Sequence, residues 1–173
     1  MTIPLARPGA SAPADERFRA IFAAHYPPVA AYTARRLGRS EGMDAAAEVF
    51  TVAWRRLARV PDEPATLPWL YGVARNVVRN AERSRRRRDR LAVRVASTAD
   101  ATDTTGPEPD DEVMAALAAL RPDDQEILRL HAWEDLGPAE IAVVLSISNR
   151  AASMRLHRAR NRLAAALERG NAR

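Results

Sequence analysis

The 173-residue sequence lacks cysteine and lysine and is poor in aromatic residues, with three each of Phe, Trp and Tyr. The absence of cysteine excludes a disulfide framework, a thiolate zinc site and a thiol nucleophile, and it fits a reducing, cytoplasmic setting. The absence of lysine excludes the lysine of a nucleotide-binding P-loop. The few aromatic residues predict that the hydrophobic cores are aliphatic.

Signatures of enzymes and of membrane proteins are also missing. No two of the seven glycines have phosphate-loop spacing, and the three histidines lack the spacing to carboxylates that a metal site needs. The longest uncharged stretch, residues 20 to 34, contains a proline pair and is shorter than the ~20 residues of a membrane span. We therefore expect no catalytic residue, metal, cofactor, small-molecule substrate or membrane partner.

Positive charge is carried by arginine alone and is unevenly distributed. Residues 1 to 95 have a net charge of +9, residues 96 to 112 have −6 and residues 113 to 173 have +2. Within the last segment, residues 149 to 173 hold seven arginines and one glutamate. Arginine presents a planar fork suited to phosphates and guanine edges, although genome base composition is the simpler explanation of the arginine bias. Two basic regions therefore flank an acidic strip.

The acidic strip predicts a flexible linker, because residues 97 to 111 include no large apolar side chain that could anchor them in a core. We expect a disordered tail at residues 1 to 13, a helical domain at 14 to 95, the linker at 96 to 112 and a second helical domain at 113 to 173. The strip reaches roughly 50 Å when fully extended, so the two domains can contact well separated places on one partner.

Hydrophobic periodicity predicts an all-α fold, because no segment alternates with the period of a strand. In the N-terminal domain, one helix is expected to end at the proline pair at positions 27 and 28, and a short second helix to end near Leu37. A third helix is expected to begin at about Asp44. A long fourth helix then follows the proline-rich loop from Val60 to Pro68.

The third and fourth helices each have a polar face opposite a hydrophobic stripe. On the third helix this face is of mixed charge, and ordinary solvation explains it without any partner. On the fourth, arginines recur at positions 75, 79 and 83, followed by a run from Arg85 to Arg88. Such a density of positive charge favours binding to phosphate, although the run by itself fits a solvated helix end equally well.

The C-terminal third has the pattern of a helix-turn-helix, which indicates DNA binding. Gly137 and Pro138 suit the start of a helix that runs to Leu145, and Ser148 suits the N-cap of a second, arginine-rich helix. The residues expected on the groove-facing turns of this second helix are Asn149, Arg150, Ser153, Met154 and Arg155, with Arg158 and Arg160 positioned for the DNA backbone.

Three separated blocks together resemble an extracytoplasmic-function (ECF) sigma factor of bacterial RNA polymerase. The blocks are Glu48 to Arg55, Trp69 to Asn76 with the arginine run after it, and Leu145 to Arg160. The resemblance covers nearly everything from Phe18 to Leu167, in family order. It implies that the N-terminal domain binds core RNA polymerase and melts the promoter −10 element, and that the C-terminal domain reads the −35 element.

The same resemblance assigns roles to individual residues. The core-polymerase-binding surface corresponds to Asp44, Glu48, Thr51 and Arg55. The −10 DNA-binding residues correspond to Trp69, Arg75, Asn76, Arg79, Asn80 and Arg83. The −35 DNA-binding residues correspond to the set on the second helix of the C-terminal domain, from Asn149 to Arg160. The loop from Val60 to Pro68 falls where the family captures a flipped base.

Further implications concern partners and an alternative function. The resemblance implies an anti-sigma factor as a partner, and an acidic linker that lies in the active-site cleft of the polymerase. Ser146 stands where the family usually has a turn glycine, and left-handed backbone there costs roughly 1 kcal/mol. The alternative is a stand-alone helix-turn-helix regulator, which would bind duplex DNA tightly without being a polymerase subunit.

Overall fold

The structure is a computed structural model that describes residues 12–93 and 111–171, and all regular structure in these ranges is helical. The all-α prediction is confirmed there. The helices are α1 (Ala12–Leu37), α2 (Arg39–Arg55), α3 (Thr66–Val93), α4 (Asp111–Ala118), α5 (Pro122–Ala132), α6 (Pro138–Leu145) and α7 (Asn149–Asn171), with a 3-10 turn at Leu57–Arg59. Most of the predicted tail and linker lies outside the described residues, although α1 already begins at Ala12 and α4 at Asp111.

Helix α1 is continuous through the proline pair, so the predicted break there is wrong. Each proline removes one backbone hydrogen bond, to the carbonyl four residues earlier. Those carbonyls belong to Ala23 and Ala24, which are both exposed and can bond to water instead. On the opposite side Val29 is fully buried, so packing holds the helix together across the gap.

Helix α2 begins at Arg39, five residues before the predicted start, because two glycines shape the corner between α1 and α2. Gly38 has a φ of 81°, in the left-handed region that favours glycine. Gly42 lies against the backbone of α1, where a Cβ atom would come within 2.5 Å of the Ala34 Cα. The Thr33 hydroxyl donates to the Gly42 carbonyl at 2.8 Å and fixes this close crossing. Close packing of the two helices therefore requires glycine at position 42.

The core of the N-terminal domain is aromatic at one end, contrary to the aliphatic core that composition predicted. Five rings from α1 and α2 contact one another with centroid distances between 4.9 and 6.5 Å. They are Phe18, Phe22, Tyr26, Phe50 and Trp54. A chain with few aromatic residues can therefore still have an aromatic core, because most of these residues lie together at this one place.

Helix α3 begins at Thr66, so the preceding loop is shorter than predicted and ends at Ala65. Pro68 sits in the first turn, where backbone N–H groups have no partner within the helix and a proline costs nothing. The Thr66 hydroxyl is buried and donates to the Pro61 carbonyl at 2.8 Å. This bond ties the loop to the start of the helix.

The C-terminal domain packs α4, α5 and α6 around α7. Its most buried side chains include Ile127, Leu130 and Ile141. Ala152 and Ala159 of α7 are fully buried, and their small size lets the neighbouring helices lie close to α7. No helix within residues 12–93 and 111–171 is long and apolar enough to cross a membrane. Over the same residues, no cluster of three or more His, Asp or Glu side chains could hold a metal ion.

Candidate nucleic-acid interface

Helix α7 presents a polar face beside the turn that joins it to α6. Its first turn is capped by Ser148, whose hydroxyl accepts a hydrogen bond from the Ala151 amide at 3.2 Å. At the start of α6, the Glu140 carboxylate accepts from the Gly137 amide at 2.8 Å, with Pro138 as the first helical residue. These caps confirm the predicted helix starts and hold the two helices of the motif in place.

The groove-facing set on α7 is exposed and lies together at its N-terminal end. The exposed members are Asn149, Arg150, Ser153, Met154, Arg155 and Arg158. Met154 is 48% exposed although it is apolar, so it is available to contact a thymine methyl group in a major groove. The Ser153 hydroxyl donates to the Asn149 carbonyl at 3.0 Å, which leaves its oxygen free to accept a hydrogen bond.

Arg160 is also exposed, and its guanidinium donates to Nε2 of His131 on α5. Nδ1 of His131 in turn donates to the Leu136 carbonyl at 2.9 Å, so Nε2 is the acceptor nitrogen. Nearby, Nη1 of Arg162 donates to both carboxylate oxygens of Asp124, at 2.9 and 2.7 Å. These contacts connect the middle of α7 to α5, and the first turns of α7 remain exposed.

The polar face of α3 forms a second basic surface. Asn76, Arg79, Asn80 and Arg83 are exposed, and Nη2 of Arg83 donates to the Asn80 side-chain oxygen at 2.9 Å. Arg75 is only half-exposed, and its Nε atom is buried without a hydrogen-bond partner. This side of α3 therefore consists of an open basic strip and of Arg75, which other residues partly cover.

The loop before α3 is held from one side by α1. Nη1 of Arg17 donates to the Leu57 carbonyl at 2.8 Å, and its Nη2 donates to the Val60 carbonyl at 2.7 Å and to Asp62 at 2.9 Å. Nε2 of the buried His25 lies 2.6 Å from the Glu63 carboxylate. Trp69 follows in α3 and packs partly into the core. The sequence indicated that the loop is of interest, but no sequence pattern predicted its hydrogen bonds with α1.

The outer face of α2 is exposed and acidic near its middle. Asp44 and Glu48 are exposed, as is Arg55, while Thr51 is half-exposed and its hydroxyl donates to the Ala47 carbonyl at 2.9 Å. Met43, which sequence reasoning did not single out, is 49% exposed beside Asp44. Methionine is among the residue types that are enriched at protein–protein interfaces. The face therefore combines two exposed carboxylates with one exposed apolar side chain.

A further cluster of polar side chains joins the two domains, and it was not predicted from the sequence. The Tyr32 hydroxyl donates to Glu126 at 3.0 Å, and Nη1 of Arg36 donates to Glu134 at 3.2 Å. Arg35 also donates to Glu134. Burial raises the pKa of the Tyr32 hydroxyl well above its ordinary value. These partners are 94 to 99 residues apart in the chain, so no local pattern could reveal them.

Comparisons with known proteins match both domains of the chain. The model described as "Sigma-70 region 2" matches residues 21–88, and the model "Sigma-70, region 4" matches residues 110–163. The chain is 31% identical to RNA polymerase sigma factor CarQ of Myxococcus xanthus over 154 residues, which are 87% of this chain and 88% of CarQ. It is 34% identical over 126 residues to the Probable RNA polymerase sigma factor RfaY of Xanthomonas campestris, a match of 68% of this chain but 32% of RfaY.

Two solved structures share the fold. One is the sigma factor RpoE in complex with the anti-sigma factor NepR from Bartonella quintana, with a TM-score of 0.64 and 20% identity over 88% of this chain and 98% of that chain. The other is CnrH in complex with the cytosolic domain of CnrY, with a TM-score of 0.60 and 24% identity over 90% of this chain and 94% of that chain. Because regions 2 and 4 are both matched in family order and CarQ is matched over most of its length, the chain belongs to the ECF sigma factors of bacterial RNA polymerase.

Proposed function

We propose that this sigma factor binds core RNA polymerase through the outer face of α2 and positions it on promoters through α3 and α7. The α7 face, from Asn149 to Arg158, reads the −35 element in a major groove. The open strip of α3, with Asn76, Arg79, Asn80 and Arg83, contacts the opening strand of the −10 element. In this proposal Arg75 joins the strip, and Trp69 lies beside the opening.

One observation supports this proposal above all others: one chain carries two basic surfaces and a separate acidic, methionine-bearing surface. A stand-alone regulator requires the helix-turn-helix surface on α7. It does not require an acidic helix face in a second domain. Arginines on α3 suit a strand held by its phosphates, while the mixed polar and apolar residues of α7 suit base edges. The catalytic step belongs to the polymerase in this proposal, and the protein acts in the cytoplasm, where polymerase and promoter are.

Charge reversal on α2 tests the polymerase contact. We expect the double variant Asp44→Arg, Glu48→Arg to lose core binding by at least tenfold, because it places two positive charges where the partner accepts two carboxylates. Both side chains are exposed, so the helical circular dichroism and the unfolding midpoint stay close to those of the wild type. Binding is measured by co-sedimentation with purified core polymerase.

The matched control is Glu168→Arg, an exposed reversal near the end of α7, which should leave core binding unchanged. If the α2 double variant binds core polymerase as tightly as the control does, the assignment of this face is wrong.

Run-off transcription separates the sigma-factor mechanism from that of a stand-alone regulator. With core polymerase and fragments of genomic DNA, we expect transcripts from one class of promoter and weak duplex binding by the isolated chain. Tight footprints by the chain alone, with no transcript in the presence of core polymerase, would support the regulator instead.

An anti-sigma protein is part of the same proposal. The Bartonella RpoE structure contains one, and we expect this chain to be held by a partner of that class. Affinity purification of the full chain from its own cells, followed by addition of the captured protein to the run-off assay, checks this expectation. A partner of the expected class abolishes the transcript, whereas one that leaves run-off unchanged is not an anti-sigma factor for this chain.

A further inference from the structure

A short series of hydrogen bonds fixes the orientation of the Arg160 guanidinium. Nη2 of Arg160 donates to Nε2 of His131, and Nδ1 of His131 donates to the Leu136 carbonyl at 2.9 Å. Leu136 lies in the turn between α5 and α6, where its side chain is buried and its amide donates to the Leu130 carbonyl at 3.2 Å. The carbonyl that holds the imidazole is therefore itself fixed, and the position of the guanidinium is set by the turn before α6.

The imidazole of His131 is neutral in this arrangement. A carbonyl oxygen can only accept a hydrogen bond, so Nδ1 carries the proton, and a guanidinium can only donate, so Nε2 has a free lone pair. A protonated ring would place a second cation against Arg160 and would offer it no acceptor. His131 therefore orients the guanidinium without neutralising its charge.

Arg162, which is close to Arg160 on α7, is held in a different way. Its Nη1 donates to both carboxylate oxygens of Asp124, at 2.9 and 2.7 Å, so the two side chains form an ion pair. Arg160 is exposed and has no carboxylate partner within residues 12–93 and 111–171. A carboxylate competes with a phosphate for a guanidinium, whereas a neutral imidazole does not. Arg160 thus keeps its charge and its remaining donors for an anion outside the chain.

Arg160 lies on the same side of α7 as two of the groove-facing residues. It follows Ser153 by seven residues and Asn149 by eleven, which are close to two and three complete turns of an α-helix. At this spacing Arg160 is about 10 Å beyond Ser153 along the helix axis. A major groove is about 12 Å wide, so a helix with its first turns against the bases brings Arg160 to the edge of the groove. The anion at that edge is a DNA phosphate.

We propose that His131 is a positioning residue for DNA binding, which holds the Arg160 guanidinium in place for a backbone phosphate. A free arginine side chain must be immobilised when it contacts a phosphate, and this ordering reduces the affinity. The contact with His131 orders the side chain before DNA binds. The inference rests on the proposed function only for the placement of α7 in a major groove. It does not require the polymerase, and a phosphate contact acts on DNA of any sequence.

Two substitutions of His131 separate its contact with Arg160 from its contact with Leu136. The amide nitrogen of asparagine can replace Nδ1 and keep the bond to Leu136, but asparagine is too short to accept from Arg160. The amide of glutamine reaches the place of Nε2, so its oxygen can accept from Arg160 while the bond to Leu136 is lost. We expect His131→Asn to weaken DNA binding by about two- to tenfold and His131→Gln to bind as the wild type does.

Binding is measured by fluorescence anisotropy, with the full-length protein and a short labelled duplex of random sequence. Helical circular dichroism of each variant is compared with that of the wild type. Because His131→Asn keeps the bond to Leu136, we expect it to keep the helical content of the wild type as well.

Salt dependence separates the positioning role of His131 from the charge of Arg160. Each phosphate contact contributes about 0.9 to the slope of log affinity against log salt concentration. Arg160→Gln should therefore reduce this slope by about 0.9, whereas His131→Asn leaves the charge in place and should keep the slope. Adding His131→Asn to Arg160→Gln should cause no further loss, because no guanidinium remains to be oriented. Arg169→Gln, at an exposed position near the end of α7, is the control and should leave the slope unchanged.

Weaker binding by His131→Gln than by His131→Asn would mean that His131 acts through Leu136 and only supports the fold, and it would overturn the proposal. Equal binding by His131→Asn and the wild type would overturn it as well, and so would an unchanged salt slope in Arg160→Gln. Run-off transcription is independent of these measurements. If no transcript forms while the binding results are as expected, the proposed function fails and the role of His131 stands.

Discussion

At the scale of single residues, Ser146 shows how one backbone conformation shapes the C-terminal domain. It has a φ of 54° and a ψ of 47° at the end of α6, so the left-handed conformation anticipated from its position in the motif is present. The Ile147 amide then donates to the Ala142 carbonyl at 3.0 Å, which closes the turn before α7. A non-glycine residue in this conformation costs roughly 1 kcal/mol.

We therefore expect Ser146→Gly to raise the free energy of unfolding of the C-terminal domain by about 1 kcal/mol, because glycine adopts this conformation without strain. Urea unfolding followed by circular dichroism measures the change. Ser84→Gly, an exposed helical position on α3, is the control and should lower stability by about 0.5 kcal/mol. A loss of stability in Ser146→Gly would show that the serine is favoured by a contact other than its backbone.

At the scale of elements, the sequence predicted the helices well but not how they join. Apolar periodicity located the hydrophobic stripes of α2 and α3, because periodicity is a local property. The predicted start of α2 and the predicted break in α1 were wrong, because both depend on packing between helices at Gly42 and Val29. The contact of the exposed Arg160 with α5 was not predicted either.

The contact between α1 and the loop before α3 leads to a prediction at this scale. We expect Arg17→Gln to loosen the loop, since glutamine cannot replace three hydrogen bonds, and to lower the free energy of unfolding by about 1 to 3 kcal/mol. Opening of −10 DNA, followed by permanganate reactivity of unpaired thymines, should fall severalfold while core binding is retained.

Arg19→Gln is the control, because Arg19 is an exposed arginine on the same helix. It should leave both stability and DNA opening close to those of the wild type. Normal opening by Arg17→Gln would mean that the loop does not depend on α1 for its function.

At the scale of the whole molecule, the contact between domains could not be predicted from the sequence. Charge patterning along the chain indicated two basic regions separated by an acidic strip, and this composition gave no sign that Glu126 and Glu134 would face Arg36. Such pairs depend on the path of the chain over about a hundred residues. What the sequence could supply was the family, and with it the separate roles proposed for the two domains.

The buried tyrosines of the interface predict how stability depends on pH. Burial, and then the negative charge of Glu134, raise the pKa of Tyr71 to about 12, whereas tyrosine in an unfolded chain has a pKa of about 10. The unfolded chain therefore releases this proton first as the pH rises. The contribution of Tyr71 is fully present below about pH 10 and is lost as the pH rises through about 12.

We expect urea unfolding midpoints to fall over this interval, and phenolate absorbance to appear together with the loss of compactness. Tyr71→Phe should make the dependence less steep, since phenylalanine has no proton to release, and the remainder comes from Tyr32, whose pKa burial also raises. An equally steep fall in Tyr71→Phe would assign the dependence to other groups.

The continuity of α1 gives the molecule a mechanical connection between its two ends. Arg17 near one end holds the loop before α3, and Arg36 near the other end holds the C-terminal domain. Nineteen residues separate them, or about 29 Å of uninterrupted helix. Because the prolines do not break α1, the C-terminal domain and the loop before α3 are attached to one continuous helix. A break at the prolines would have left them attached to two separate helices.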